Sequence, residues 1–203
     1  MDVSQINSRN FGQNHWDTLQ WIRQKVKAHP RPINNTKVYG GGESSWGSGT
    51  SADGVERFCR NIIGGCASAR FHRPWAGSGL QPISKGTIRS FRRAESLINL
   101  WDIDPRQDLL SERSPNEAYL AANPEMGQYL TYFPNGGAVT IRVNPSRKYH
   151  MKWVDIRSGN WGPEDSIAPE TIAEIIAPGS GVGWPLSMLT DRVKKTDNAS
   201  RGI

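Results

Sequence analysis

Between residues 31 and 49 the chain reads RPINNTKVYGGGESSWGSG: a short run suited to a buried strand, a lysine near its end, then a glycine-rich loop. Strand ends that open into such loops are where α/β proteins place their chemistry. The charged candidates are Lys37, close to the strand end, and Glu43, the one carboxylate in the loop. A second strand-like run, CASARF, ends directly in His72 and Arg73. An imidazole there can donate a hydrogen bond or move a proton near neutral pH. Two chemistries are disfavoured. GGGESSWGSG lacks the Gly-Lys-Ser/Thr ending of a phosphate-binding loop and precedes a helix instead of running into one. The four histidines are scattered without metal-ligand spacing, so neither a metal nor a cofactor is expected.

Alternating strands and helices would have to position these residues. VSQIN, at 3–7, reads as a strand, and a helix is expected over about 15–29. In that helix Trp16, Leu19, Ile22 and Val26 recur every three or four residues, with Asn14 and Asp17 as a capping pair, and Pro30 and Pro32 stop it. The strand carrying Lys37 leads to a helix capped by Ser51. There Val55, Phe58, Cys59, Ile62 and Ile63 follow an amphipathic template, and Gly64-Gly65 ends it. CASARF follows, then a helix over about 84–101 with Ile88, Phe91, Ala94, Ile98 and Trp101 on one face. Three successive βα units imply a parallel sheet with right-handed crossovers.

After Pro105 the texture changes. GQYLTYF and AVTIRV flank PNGG, a hairpin signal, since Asn-Gly supplies the positive φ angles of a tight turn. YHMKWVDI, the SGNWG turn, ETIAEIIAP and a run near 184–189 add further short strands. An antiparallel β-sandwich or small barrel is therefore expected over 105–193, after an α/β region at 1–104. The tail 194–203, KKTDNASRGI, is expected to be disordered. Three βα units alone leave two open sheet edges, so either a longer polypeptide or self-association through those edges should cover them.

The 203 residues carry a formal charge of +6, and the excess sits at 1–104, with 14 Lys/Arg against 8 Asp/Glu. Arg89, Arg92 and Arg93 cluster on a helix, which reads as a solvated face rather than a nucleic-acid surface, because no reading module accompanies them. Cys59 and Cys66 match neither a metal signature nor a disulfide framework and read as buried free thiols. No apolar run is long enough to span a bilayer, so no membrane partner is expected. MDVSQINSRN has neither a basic n-region nor an apolar core, so no signal peptide is read there. A cytoplasmic protein, a mature form and an incomplete reading frame all remain open.

The order and spacing of RPINNTKVYGG, ERFCRNIIGGCASARFHRP, LINLWDIDP, AYLAANPEMGQYLTYFPNGGAVTIRV and MKWVDIRSGNWG resemble the C-terminal portion of apiosidase-like, glycoside-hydrolase-like proteins. Those join a (β/α)8 TIM-type barrel to a small β domain whose family name refers to collagen binding. The resemblance covers the chain to about Arg192. It implies that the βα units are the sixth to eighth of the barrel, that the partner is a polysaccharide or oligosaccharide, and that full-length relatives are secreted or periplasmic. It also implies an acid near the end of the seventh strand, one of the two carboxylates such hydrolases use.

This chain places Lys37 there, two residues before Tyr39, and a lysine cannot serve as an anionic nucleophile. On this reading Glu43 either replaces the missing acid or is a solvated loop residue. Lys37 either contacts a substrate hydroxyl or carboxylate or pairs with an acid elsewhere in the barrel. His72 and Arg73 would lie near the barrel mouth, although a histidine packed under the next loop is the alternative. Asn7 and Asn10 would follow the first strand as polyol contacts or turn formers. Tyr39, Trp46 and Trp75 could stack on sugar rings. Trp16, Trp21 and Trp101 are expected in the core or packed along helix flanks, and Trp153, Trp161 and Trp184 in the core of the β domain, with a ligand platform as the alternative. The chain is thus expected to belong to a glycoside-hydrolase-like protein acting on glycosidic bonds while lacking a full catalytic apparatus of its own. The alternative is a non-catalytic carbohydrate- or collagen-binding or structural protein.

Overall fold

The computed structural model describes residues 12–38, 49–72, 79–111, 113–178 and 185–190. Three helices and two parallel strands come first: α1 (Gly12–Lys25), β1 (Asn34–Val38), α2 (Ser51–Ile63), β2 (Ser68–Phe71) and α3 (Pro82–Glu95). Nine strands follow: β3 (Asp104–Pro105), β4 (Leu110–Ser111), β5 (Tyr119–Asn123), β6 (Gln128–Tyr132), β7 (Ala138–Arg142), β8 (Tyr149–Asp155), β9 (Trp161–Ile167), β10 (Ile172–Ile176) and β11 (Pro185–Thr190). The strand expected at 3–7 and the tail at 194–203 lie outside the described residues.

The helices form where apolar periodicity places them, but their ends differ from expectation. α1 starts at Gly12 and ends at Lys25, so Asn14 lies inside it. Asp17 accepts from Gln13 Nε2 at 2.8 Å instead of pairing with Asn14 as a cap. Thr50, one residue before Ser51, caps α2. Its backbone N–H donates to Asp53 Oδ2 at 2.6 Å, and its hydroxyl accepts from the Asp53 N–H, a reciprocal capping box. α3 opens on Pro82, whose missing N–H costs nothing in a first turn, and stops at Glu95, short of Trp101. Of the tryptophans expected in the core or along helix flanks, Trp101, past the end of α3, is 78% exposed, and Trp21 is 60% exposed on the outer side of α1 with Lys25 Nζ 5.3 Å from its ring centroid, so neither lies in the core. Trp16 and Trp153 are buried, and both cysteines are buried and unbridged.

The β strands form two antiparallel sheets, ordered β3-β5-β6-β11-β8-β9 and β10-β7-β4. The inner strands β5, β6 and β11 of the six-stranded sheet bury side chains on both faces, whereas its edge strand β9 is mostly exposed. Tyr119 and Ala121 of β5, Leu130 and Tyr132 of β6 and Val154 of β8 join Phe58, Phe71 and Phe91 in one core. Leu120, Ala122, Tyr129 and Trp153 face the other way, toward Val139 and Ile141 of β7 and Ala173 and Ile175 of β10. A middle layer covered on both sides loses the in–out alternation, whereas β7 and β10, covered on one side, keep it. The helix-side core runs without interruption across residue 104.

PNGG does not make the expected hairpin. β5 and β11 occupy both hydrogen-bonding edges of β6, while β7 pairs with β4 and β10. The turn instead carries the chain from one sheet to the other. Its positive φ angles fall at Gly136, +79°, and Gly137, +107°, and not at Asn135, so the Asn-Gly pair does not supply the tight turn expected of it. The local hairpins are β5–β6, turning at Gly127, and β8–β9, turning at Gly159.

Candidate functional site

The parallel strands β1 and β2 run side by side with Asn34 opposite Ser68, Asn35 opposite Ala69 and Val38 opposite Phe71. Three β1 residues therefore span the length of two β2 residues, which is a bulge at 36–37. The extra residue returns Val38 to the core while leaving Lys37 exposed. The His72 N–H donates to the Val38 carbonyl at 2.7 Å, so Lys37 and His72 are neighbours at the C-terminal ends of adjacent strands. His72 is half-buried.

The helices cover one face of this pair. Phe71 stacks on Phe58 of α2 with ring centroids 4.6 Å apart, and Ala69 packs against the same core. Alternation then places Ser68, Arg70 and His72 on the opposite face. There Ser68 Oγ donates to Asn34 Oδ1 at 3.0 Å, and Arg70 Nε donates to the Thr36 carbonyl at 3.2 Å. Arg70 was not among the expected site residues. The period-two pattern of SARFH, with Ala69 and Phe71 against Arg70 and His72, carried the signal. Glu43, Tyr39, Trp46, Arg73, Trp75 and Asn7, like Asn10, lie outside the described residues.

Behind the strands, a buried polar cluster ties α1 and α2 to the central sheet. Arg60 of α2 is fully buried and donates from Nη1 to Glu56 Oε2 at 2.8 Å and to Asn116 Oδ1 at 3.1 Å. The Tyr119 hydroxyl donates to the same Asn116 oxygen at 2.8 Å, and Arg113 donates to Gln13 Oε1 at 2.6 Å. The Arg60 and Arg113 guanidiniums lie 5.7 and 5.4 Å from the Tyr119 ring centroid. Burial pushes the Tyr119 hydroxyl up to about 12 and brings Arg57 down to about 10. His15 of α1 is fully buried, and neither ring nitrogen meets a hydrogen-bond partner. Burial first, then Arg60 and Arg57, hold it well below the ordinary histidine range. Sequence periodicity gave no reason to single out these arginines, because their burial depends on a sheet supplied from elsewhere in the chain.

The arginine cluster of α3 has structural partners. Arg89 Nη1 donates to the Ser158 carbonyl at 3.0 Å, and the Arg93 guanidinium lies 5.5 Å from the Trp161 ring centroid. Arg92 pairs with Glu95 at 2.7 Å. At the opposite end of β1, Gln20, Arg23, Lys27, Arg31, Ile33 and Asp104 line an open polar groove of about 470 Å3. Arg23 bridges it, donating to the Gly64 carbonyl at 3.1 Å and to Asp104 at 2.9 Å. This groove is remote from Lys37 and His72 and joins structural elements. Among the described residues no group of three or more His, Cys, Asp or Glu could hold a metal. No described helix is long and apolar enough to cross a membrane.

No family model and no curated protein matches the chain. Solved structures do. A glycoside hydrolase family 5 protein from Bacteroides vulgatus superposes with a TM-score of 0.68 at 11% identity, over 92% of this chain and 50% of that one. A second structure, described as a glycoside hydrolase, gives a TM-score of 0.62 at 10% identity over 91% of this chain and 50% of its own. The chain thus spans about half the length of these neighbours. Its mixed α/β fold, with a parallel pair beside antiparallel sheets, is glycoside-hydrolase-like.

Proposed function

We propose that this chain is the C-terminal part of an apiosidase-like glycoside-hydrolase-like protein, contributing the sixth to eighth βα units of a (β/α)8 barrel and an antiparallel β-sandwich. Its site binds a polysaccharide or oligosaccharide at the mouth formed by the C-terminal ends of β1 and β2. The observation that carries this reading is the superposition of nearly the whole chain on half of a glycoside hydrolase, together with the convergence of Lys37 and His72 at adjacent strand ends.

The chain is inactive by itself on this reading. Glycoside hydrolysis ordinarily needs two carboxylates flanking the scissile bond. The segments 34–38 and 68–72 contain none, and Glu43 is the single acid in the intervening glycine loop. Assay of the purified chain on aryl glycosides, beside Glu43→Gln, tests this. No turnover by either protein is expected. Turnover abolished by Glu43→Gln would make Glu43 a catalytic acid and overturn inactivity. Retention on polysaccharide columns without turnover would identify a binding role, the second reading, which the absence of acids on these strands favours.

A further inference from the structure

The groove at the N-terminal end of β1 holds more positive charge than the fold uses. Its volume of about 470 Å3 lies in the range of ligand clefts, and every lining residue falls within the described segments. Asp104 is the single carboxylate in the lining, and Arg23 already pairs with it at 2.9 Å. The C-terminal ends of α1 and α2 meet at this rim, where helix carbonyls carry partial negative charge. Arg23 Nη1 answers the Gly64 carbonyl, and Lys25 stands in the last turn of α1. Lys27 and Arg31 are surplus to these tasks. Both are exposed, and among the described residues neither side chain has a hydrogen bond or ion pair.

The structure around these two cations is stiff. Arg31 lies between Pro30 and Pro32, which fix the chain on either side and hold Arg31 itself extended. Ile33, 4% exposed, and Val26 pack with Leu19, Ile22 and Cys66, so the groove floor is anchored. Val26, Pro30, Ile33 and Pro105 form an apolar strip beside the charges. The exposed Gln24 carboxamide offers both donor and acceptor, which matches a peptide main chain with its N–H and carbonyl at each residue. No aromatic ring lines the groove, so neither a nucleotide base nor a sugar ring finds a stacking surface.

We propose that this groove docks a short acidic peptide segment of a partner protein, with its Asp or Glu carboxylates against Lys27 and Arg31 and its main chain along Gln24. The Arg31 guanidinium forks onto one carboxylate, and the Lys27 ammonium holds another as a point charge. Because the groove is open, the association is weak and falls with added salt. The groove lies at the opposite end of β1 from the proposed glycan site, so the two readings stand or fall separately.

The test is titration of the 203-residue chain with acetylated Asp-Glu-Asp-Glu, its Asn-Gln-Asn-Gln counterpart, citrate and a short single-stranded oligonucleotide, followed by amide chemical shifts. The acidic peptide should bind, with perturbed amides centred on 24–33, 65 and 104–105, and the neutral peptide should bind about tenfold or more weakly. Lys27→Gln and Arg31→Gln should each weaken the acidic peptide about three- to fivefold at low salt. Lys85→Gln, which removes the same charge from an exposed position on α3, should leave binding unchanged. Melting curves matching the parent are expected for all three, since the substituted side chains are exposed. Equal weakening by all three would overturn the site in favour of general attraction to the net positive charge. Citrate binding as tightly as the peptide would overturn it in favour of a small polycarboxylate, and preference for the oligonucleotide in favour of nucleic acid. Dimerisation on concentration, lost in Arg31→Gln, would overturn it in favour of a second copy of this chain. Failure of the acidic peptide to bind at low salt would overturn it outright.

Discussion

A Cβ added to Gly86 of α3 would lie 1.7 Å from the carbonyl oxygen of Arg157, in the turn between β8 and β9. The helix touches the sheet backbone to backbone there. Arg89 donates to Ser158 beside it, and Gly159, at φ +70°, keeps the turn open for the Arg89 side chain. Because the obstructing atom is main chain, it cannot swing away. Gly86→Ala should therefore destabilise the protein by about 1–3 kcal/mol despite alanine's better helix propensity. Lys85→Ala, at an exposed neighbouring position, should change stability by less than about 0.5 kcal/mol. Urea unfolding of the two variants measures the difference.

Helix α2 depends on its cap at Thr50. Thr50→Ala removes the hydroxyl that accepts from the Asp53 N–H, and Asp53→Ala removes the reciprocal carboxylate. Each should cost about 0.5–2 kcal/mol. The double variant should cost less than the sum, because either change already breaks the box. A double-mutant cycle by thermal unfolding checks this.

The buried pair of Arg60 and Glu56 is asymmetric, with Arg60 at 1% side-chain exposure and Glu56 at 16%. Glu56→Gln removes the counter-charge of a guanidinium in the core, whose Nη1 then keeps the neutral Asn116 Oδ1 as acceptor. A loss of about 3–5 kcal/mol is expected. Glu56→Gln combined with Arg60→Met should recover much of it, since an apolar side chain needs no counter-charge. Chemical denaturation of the three proteins provides the measurement.

His15 makes stability dependent on pH in a defined direction. Burial, Arg60 and Arg57 hold its folded value below the unfolded one of about 6.5. The folded state therefore binds fewer protons than the unfolded state below that value. Its contribution is fully present above about pH 6.5 and is lost as the pH falls toward the folded value. His15→Leu should flatten this part of the profile without altering the loss that carboxylate protonation produces at lower pH. Melting temperatures between pH 7.5 and 5, with and without the substitution, decide it.

Much of the helical layer was legible in the residues. Val55, Phe58, Cys59 and Ile63 recur on one face of α2 because a helix covering a core must repeat its apolar side chains every three to four residues. The same local logic set Ser68, Arg70 and His72 apart from Ala69 and Phe71 in β2.

Pairing and layering were decided by contacts distant in sequence. β6 takes β11, more than fifty residues downstream, on the edge that a local hairpin with β7 would have used. No property of the turn encodes which strand reaches that edge. Helices covering the second face of the central sheet bury Arg57 and Arg60, and that sheet comes from the other half of the chain. The register between β1 and β2, three residues against two, lets Lys37 face outward while Val38 returns to the core. Residue type thus determined which groups could do chemistry. Long-range hydrogen bonding and packing decided which of them share a surface, because local periodicity specifies a face but not the partner that covers it.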